Sequence, residues 1–391
     1  MGRSGGHEHR ASHGRNNSLP FMLSNGAHSD VVLVLGGCGF LGRHIINLLL
    51  EKSEGITEIR VLDIQDRPKS FSFTENPKIQ LKFVKGDITN LRDIERSFQG
   101  VNAVIHCASL IDTSHRQDVE KLKRINVQGT ANIIKACVAH NIDRLIYTSS
   151  SELGRTFDPI VNANEDDVDE KIKHKHNKII LNGYSTSKEE AEKMVLLANG
   201  HRLQNGNKLA TVSLRPCGLY GEGDSMYVTT VIRTGRKLFY GYLPALGSAD
   251  AKIQRVYVGN VAWAHVVALA AMTRKDPGVC GKAYLITDDT PICDNFTFMK
   301  PFLEARQIEL LPVRIPFVVV YYFWALMELL IWLLSPLVKI PLLVNKEEVA
   351  LCCTTAFYNG SQAREVLGYR PIFTPGEAME RSLTYYSTMP L

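Results

Sequence analysis

The chain has 391 residues, 45% hydrophobic and 22% charged, with 45 Lys and Arg against 40 Asp and Glu. At roughly 150 residues per domain, that is one large folded body plus a smaller one, and it excludes disordered, collagen-like and disulfide-stapled chains. The net charge of +5 is spread without a long basic run, so nucleic acid is not an expected partner.

Residues 1–29 are rich in Gly, His, Ser and Asn and read as a disordered polar tail. No apolar core follows the early arginines, so a secretory signal is not expected, and Gly6 stands where a myristoylation motif needs Ser or Thr. His7, His9 and His13 belong to this tail, and no metal is expected. The eight cysteines show no Cys-x-x-Cys spacing and are expected to be buried thiols in a reducing compartment.

A buried strand is predicted at Val31-Val32-Leu33-Val34-Leu35, followed by Gly36-Gly37-Cys38-Gly39-Phe40-Leu41-Gly42 and then apolar residues at helical spacing. Strand, glycine turn and helix form the context in which such glycines bind a dinucleotide. Gly36 permits the tight turn, Gly39 lets backbone approach a pyrophosphate, and Gly42 lets helix and strand pack closely. Phe40 and Leu41 are further cofactor-contact candidates. The next strand ends at Asp63, whose carboxylate suits the ribose hydroxyls and repels a 2′-phosphate, favouring NAD over NADP; Arg67 lies close by. Later strands end at Gly86-Asp87, with Asp87 and Ile88 expected beside the adenine, and at Cys107-Ala108, small residues suited to lie against the cofactor. A helix near 117–140 carries Asn126. Another strand leads into Thr148-Ser149-Ser150-Ser151. The alternation predicts an α/β fold, a Rossmann-type doubly wound parallel sheet. Residues 156–182 read as a solvated loop.

Tyr184-Ser185-Thr186-Ser187-Lys188 opens a helical stretch. Four residues advance about 400°, so Tyr184 and Lys188 share a face. A phenol is a poor base near neutral pH, and a neighbouring ammonium is expected to lower its pKa. Tyr184 is then the proton acceptor, Lys188 also holds the nicotinamide ribose, and Ser150 hydrogen-bonds the substrate oxygen. Pro216, after the next strand, completes the cofactor candidates.

The glycines, Asp63, Asn126, Ser150, Tyr184, Lys188 and Leu214–Asp224 together resemble the extended short-chain dehydrogenase/reductases. Arg255-Val256-Tyr257-Val258-Gly259-Asn260-Val261-Ala262-Trp263-Ala264-His265, Thr287–Pro291 and Leu367–Pro371 narrow the resemblance to the 3β-hydroxysteroid dehydrogenase/isomerase family, over about residues 31–381. The resemblance implies NAD-dependent oxidation of a steroid or sterol 3β-hydroxyl. It also suggests Δ5–Δ4 isomerisation, which needs a base near C4 that no residue of the sequence identifies. A sterol-4α-carboxylate 3-dehydrogenase, and a non-catalytic nucleotide-binding sensor or scaffold, stay open as alternatives. The expected division is 30–285 for the dinucleotide domain, with part of 217–255 at the substrate site, and 286–391 for a smaller substrate-binding region.

Phe317–Leu334 is almost wholly apolar, with Glu328 its only charge, and explains a mean hydropathy of −0.07 despite the polar N-terminus. Ser335-Pro336 ends it, and Leu337–Val344, containing Lys339, extends the apolar stretch to 317–344. Eighteen residues make a helix of about 27 Å, near the roughly 30 Å of a bilayer core. A core helix, a membrane span, and a segment dipping into one leaflet are the three readings. The third is favoured because 346–391 reads as part of the folded body. Expected partners are a steroid or sterol and membrane lipid, with a homodimer left open. The expected location is the endoplasmic reticulum membrane, with a mitochondrial membrane as the alternative.

Overall fold

The computed structural model describes residues 29–67, 71–114, 116–174, 179–334 and 344–390. The polar tail up to residue 28, the end of the Lys171–Lys178 run, and 335–343 with Pro336 and Lys339 lie outside the described residues.

Seven parallel strands form the main sheet: β1 (Asp30–Leu35), β2 (Ile56–Asp63), β3 (Gln80–Lys85), β4 (Ala103–His106), β5 (Arg144–Thr148), β6 (Ala210–Pro216) and β7 (Lys282–Ile286). Their order is β7-β6-β5-β4-β1-β2-β3. This is the expected doubly wound fold, and it opens a crevice at the strands' carboxyl ends where the order reverses between β1 and β4. Val32 to Leu35 are fully buried, as a strand covered on both faces requires. On one face, α1 (Phe40–Lys52) places Ile45, Ile46 and Leu49 in a shared core with Val32, Val34 and Ile105. On the other, α2 (Asn182–Leu197) contributes Ala191 and Val195 to a core with Leu33, Leu35 and Leu145. A third helix, α3 (Val258–Arg274), is buried from Val258 to Met272 and packs against α1.

The segment 156–182 is not a solvated loop. It contains a strand, Ile160–Ala163, paired with Ala356–Tyr358, and a helix, Glu165–Lys173, capped by Asn164. Glu165 is buried and accepts a hydrogen bond from Leu285 N at 2.7 Å, fastening this helix to β7. Local polarity suggested a loop; long-range pairing overrode it.

Beyond β7, Glu309–Ile315 pairs in parallel with Tyr242–Leu246 and leads into the apolar helix α4 (Phe317–Leu334). Only Val320 and Glu328 of α4 are buried. Such exposure is the reverse of a core helix. Glu328 pairs with Lys346 at the start of α5 (Lys346–Cys353): Nζ lies 2.7 Å from one carboxylate oxygen, and the Lys346 N–H donates to the other at 3.0 Å. The chain then returns to the body, where Gly221 N donates to the Tyr386 hydroxyl at 3.0 Å.

Candidate active site

The glycine turn has the geometry its sequence requires. Gly36 has φ +80°, and a Cβ there would lie 2.6 Å from Ala108 Cα. At Gly42, a Cβ would lie 2.3 Å from Gly36 O. Gly39 caps α1, and a Cβ on it would meet only Gly36 O, at 3.2 Å. The helix has no side-chain cap and no acidic residue in its first turn. An open space before an uncapped helix N-terminus fits an anionic pyrophosphate. Phe40 and Leu41 occupy the first turn and lean on the core around Tyr220 and Tyr257.

Asp63 ends β2, and its carboxylate accepts from Cys38 N at 2.9 Å and Gln65 N at 2.8 Å, so it braces the glycine turn. Arg67 lies over the rings of Phe73 and Phe83. Asp87 accepts from Thr89 N at 2.8 Å, and Ile88 is buried against Gly129. Cys107 donates to Leu35 O at 3.0 Å; burial pushes its thiol up to about 12, so it stays neutral. Asn126 sits in a π-helical turn, Lys123–Gln128. Its amide clasps Leu110 N and O at 2.8 and 3.0 Å and donates to Ser187 Oγ at 2.9 Å, joining the turn after β4 to α2. Pro216 O accepts from Ser151 N at 3.0 Å.

Three serines follow β5. Ser149 and Ser151 have buried hydroxyls without a hydrogen-bond partner. Ser150 Oγ accepts from Glu152 N at 3.1 Å and is the serine that interacts with the Tyr184 phenol. Burial, joined by the Glu152 charge, pushes that phenol up to about 12, with Ser150 pulling the other way. Lys188, 2% exposed, donates to Thr148 O at 2.6 Å and lies 4.3 Å from the centre of the Tyr147 ring. Burial pushes it down to about 7. The expected lowering of the phenol by Lys188 is therefore not what dominates here: desolvation outweighs it, and the ammonium is turned to a backbone carbonyl.

Sequence reasoning missed several neighbours. Thr148 holds Lys188 through its carbonyl, and its hydroxyl is 2.8 Å from His265 Nε2. Ser185 ties α2 to the turn after β5, accepting from Gly154 N and donating to Glu152 O. Glu152 Oε2 is buried with no hydrogen-bond partner. Its position two residues after Ser150 was the available signal. The Arg255–His265 motif works mostly as bracing: Asn260 donates to Asp288 at 2.9 Å, and Tyr257 OH donates to Glu222. Among the described residues, no His/Cys/Asp/Glu group is arranged to hold a metal.

Against known proteins, the chain is 34% identical over 364 residues to 3 beta-hydroxysteroid dehydrogenase type 7 of Homo sapiens, covering 92% of this chain and 96% of the relative. The Mus musculus protein of the same name is 33% identical over 367 residues, with the same coverages. Among solved structures, the epimerase Mth375 of Methanothermobacter thermautotrophicus superposes with a TM-score of 0.65 at 18% identity, covering 92% of this chain and 93% of that one. The UDP-glucose 4-epimerase of Thermus thermophilus, solved with NAD, gives 0.61 at 19% identity, covering 92% and 100%. These distant structures speak to the fold alone. Residues 33–317 match the description of a 3-beta hydroxysteroid dehydrogenase/isomerase, which is an oxidoreductase of the short-chain dehydrogenase type. The chain belongs to the 3-beta hydroxysteroid dehydrogenase/isomerase family.

Proposed function

We propose that this protein oxidises the 3β-hydroxyl of a steroid or sterol to the 3-ketone, with NAD as hydride acceptor. The observation that carries the reading is the Tyr184 phenol beside Ser150, one helical turn from Lys188, above the carboxyl end of β5. In this role Ser150 donates a hydrogen bond to the substrate oxygen and Tyr184 takes the hydroxyl proton. Lys188, anchored on Thr148 O, supplies positive charge beside the phenolate and donates to the nicotinamide ribose. When bound, the nicotinamide accepts the hydride. Gly36, Gly39, Phe40, Leu41 and Gly42 would hold the pyrophosphate, and Asp63 the adenosine ribose. Asp87 and Ile88 would flank the adenine, while Cys107, Ala108, Asn126 and Pro216 line the nicotinamide side. A phenol held near 12 gains phenolate as pH rises, while Lys188, held at about 7, loses its ammonium above that pH, so oxidation should rise with pH up to neutrality and level off beyond it.

For a double-bond shift after oxidation, Glu152 is the carboxylate beside the phenol with the chemistry of the required base, and its unpartnered oxygen supports that role. The protein works on a membrane, with α4 lying in one leaflet instead of crossing it. Supporting this, the Glu328–Lys346 pair ties α4 to the body, and Phe157 meets Tyr321 edge-on at 5.6 Å. Phe317 also packs in the cluster that contains Tyr184, so a dissolved sterol has a short path from lipid to phenol. Within this reading the smaller region after residue 286 binds substrate, and the endoplasmic reticulum is the proposed membrane.

The test is a panel of 3β-hydroxysterols with NAD, with and without a Δ5 bond and a 4-carboxylate, products identified by mass spectrometry. Formation of 3-ketones is expected. Loss of carbon dioxide from the 4-carboxylate would redirect the reading to a decarboxylating dehydrogenase, and nucleotide binding without turnover of any sterol would make the chain a sensor.

A further inference from the structure

The polar face of α2 does not stop at Lys188. Four residues further on, and therefore on the same face, Glu192 is 3% exposed. Its carboxylate is gripped by Arg215 from β6, with Nε at 3.0 and 3.1 Å from its two oxygens and one terminal nitrogen at 2.6 Å. Ser213 Oγ donates to it at 2.6 Å. The same terminal nitrogen also donates to Asp169, on the Glu165–Lys173 helix, at 2.6 Å. The result is a line of alternating charges, Lys188, Glu192, Arg215 and Asp169, running from the crevice to the half-exposed Asp169 at the surface.

A buried carboxylate held this firmly exceeds what an isolated structural pair needs, since an ion pair in the interior is often no better than apolar packing. What distinguishes it is the cation one turn away. We propose that Glu192 is a positioning residue of the catalytic site: its fixed negative charge keeps Lys188 in the ammonium form inside the protein, and Arg215 and Ser213 keep that carboxylate aimed and ionised.

The surroundings of Lys188 leave this task to Glu192. From β5 come the Thr148 carbonyl and the Tyr147 ring, which are polar or polarisable but uncharged. His106, at the end of β4, is pushed down to about 3 by burial and by Lys188 itself, and is neutral. Cys107, pushed up to about 12, is a neutral thiol. His265, behind Thr148, is held down at about 4 and is neutral. On α2 itself Tyr184 is a neutral phenol, and the Glu152 charge bears on that phenol. Burial drives Lys188 towards the neutral amine, and among these groups Glu192 is the carboxylate whose charge opposes it. A neutral amine would neither support a phenolate nor hold a ribose as firmly, so the inference rests on the dehydrogenase reading for its consequence but not for its test.

That test is a titration of Lys188 by NMR of Lys Cε-labelled full-length protein, the resonance assigned with Lys188→Met. In Glu192→Gln the midpoint is expected to fall by about one pH unit or more, the size of effect an opposite charge exerts at close range. Because Glu192→Gln leaves Arg215 without its main partner and can fail to fold, the paired change Glu192→Gln with Arg215→Met is measured too. It removes both buried charges, and its midpoint is expected to fall likewise with a melting temperature near wild type. Glu192→Asp should restore most of the shift. Where the wild type turns over sterol, kcat above the wild-type midpoint should drop by about tenfold, the change in ammonium fraction that one unit produces. An unchanged Lys188 midpoint in the folded double variant overturns the proposal, whatever the enzyme does. A wild type that oxidises no sterol overturns the proposed activity and leaves the titration to decide this inference separately.

Discussion

Two helices of similar length, α2 with 16 residues and α4 with 18, bury opposite things. The first turns Tyr184, Ser185, Ser187, Lys188 and Glu192 inwards and leaves Leu197 75% exposed. The second turns Tyr322, Leu326, Leu329 and Leu333 outwards and buries its single charge, Glu328. Each departs from the ordinary pattern of a soluble helix, α2 by burying polar groups beside its apolar ones and α4 by turning apolar groups outwards. On α2 every inward polar group has a reason to be there, since the crevice above β5 is where proton transfer is proposed. On α4 the outward apolar face is the one that the proposed leaflet would cover. The lesson is that a helix departing from ordinary amphipathicity is read from what lies against its unusual face.

The largest effect is expected at the phenol. Tyr184→Phe removes the proton acceptor while keeping a ring of nearly the same volume. Steady-state oxidation of a 3β-hydroxysterol should fall by about 10³-fold or more, within or above the range that general acid–base groups supply. Thermal stability should hardly move. A variant that turned over at the wild-type rate would break the proposed contrast, reducing the inward face of α2 to packing.

Next comes acid. His106 and His265 brace the floor of that face, from Thr130 Oγ1 and Thr148 Oγ1 respectively, and both are fully buried. Burial holds them at about 3 and about 4, below the usual histidine value near 6.5. Below pH 6.5 the unfolded chain takes up protons that the folded state refuses, so stability falls as pH drops from 6.5 towards those values. At pH 5 the loss is about 2 kcal/mol for each. Melting curves should show it, and His106→Gln with His265→Gln should flatten the dependence in that window. α4, which carries no histidine, predicts none of it.

Much of α2 was legible in the sequence, and little of α4's setting was. The strand at Val31–Leu35, the glycines and the Tyr184–Lys188 spacing are local signals, and the sheet follows from them because each strand and helix is announced by its own periodicity. Nothing local separates Glu192 from the neighbouring acids Glu189 and Glu190, because only Arg215, twenty-three residues away on β6, reveals that it is buried. Glu152 was missed for a related reason: its unpartnered oxygen is a property of the turn that Ser185 and Arg155 build around it. The strand inside 156–182 was invisible because its partner, Ala356–Tyr358, lies almost two hundred residues on. Glu328 was legible as a charge but not as a latch, since nothing local links it to Lys346.

That latch gives the third prediction. Glu328→Gln keeps the shape and one hydrogen bond but leaves the partly exposed Lys346 ammonium without its carboxylate. The expected cost is about 1.5–3 kcal/mol, the range for a hydrogen bond to a charged group. It should be felt locally, as faster proteolysis or amide exchange around α4 and α5. A uniform loss across the main sheet would mean instead that α4 is integral to the core, and the contrast with α2 would collapse.

The smallest effect on stability is expected where the apolar surface is largest. Leu329, Leu330 and Leu333 are 49%, 42% and 57% exposed in the folded chain. Replacing all three with Ser removes little protein–protein contact, so melting in detergent should change by no more than about 0.5 kcal/mol per site. The same residues dominate transfer into a leaflet, at roughly 1.5–3 kcal/mol for each leucine side chain fully taken out of water. Even partial insertion of three gives several kcal/mol, enough to move the protein from membrane to supernatant in a vesicle sedimentation assay. The discriminating outcome is the combination: an unchanged melting curve, lost sedimentation, and, for sterol presented in vesicles, a raised KM with kcat retained. If the triple variant instead melted several kcal/mol lower and still sedimented, those leucines would be packing against protein, and the outward face of α4 would be no different in kind from the inward face of α2.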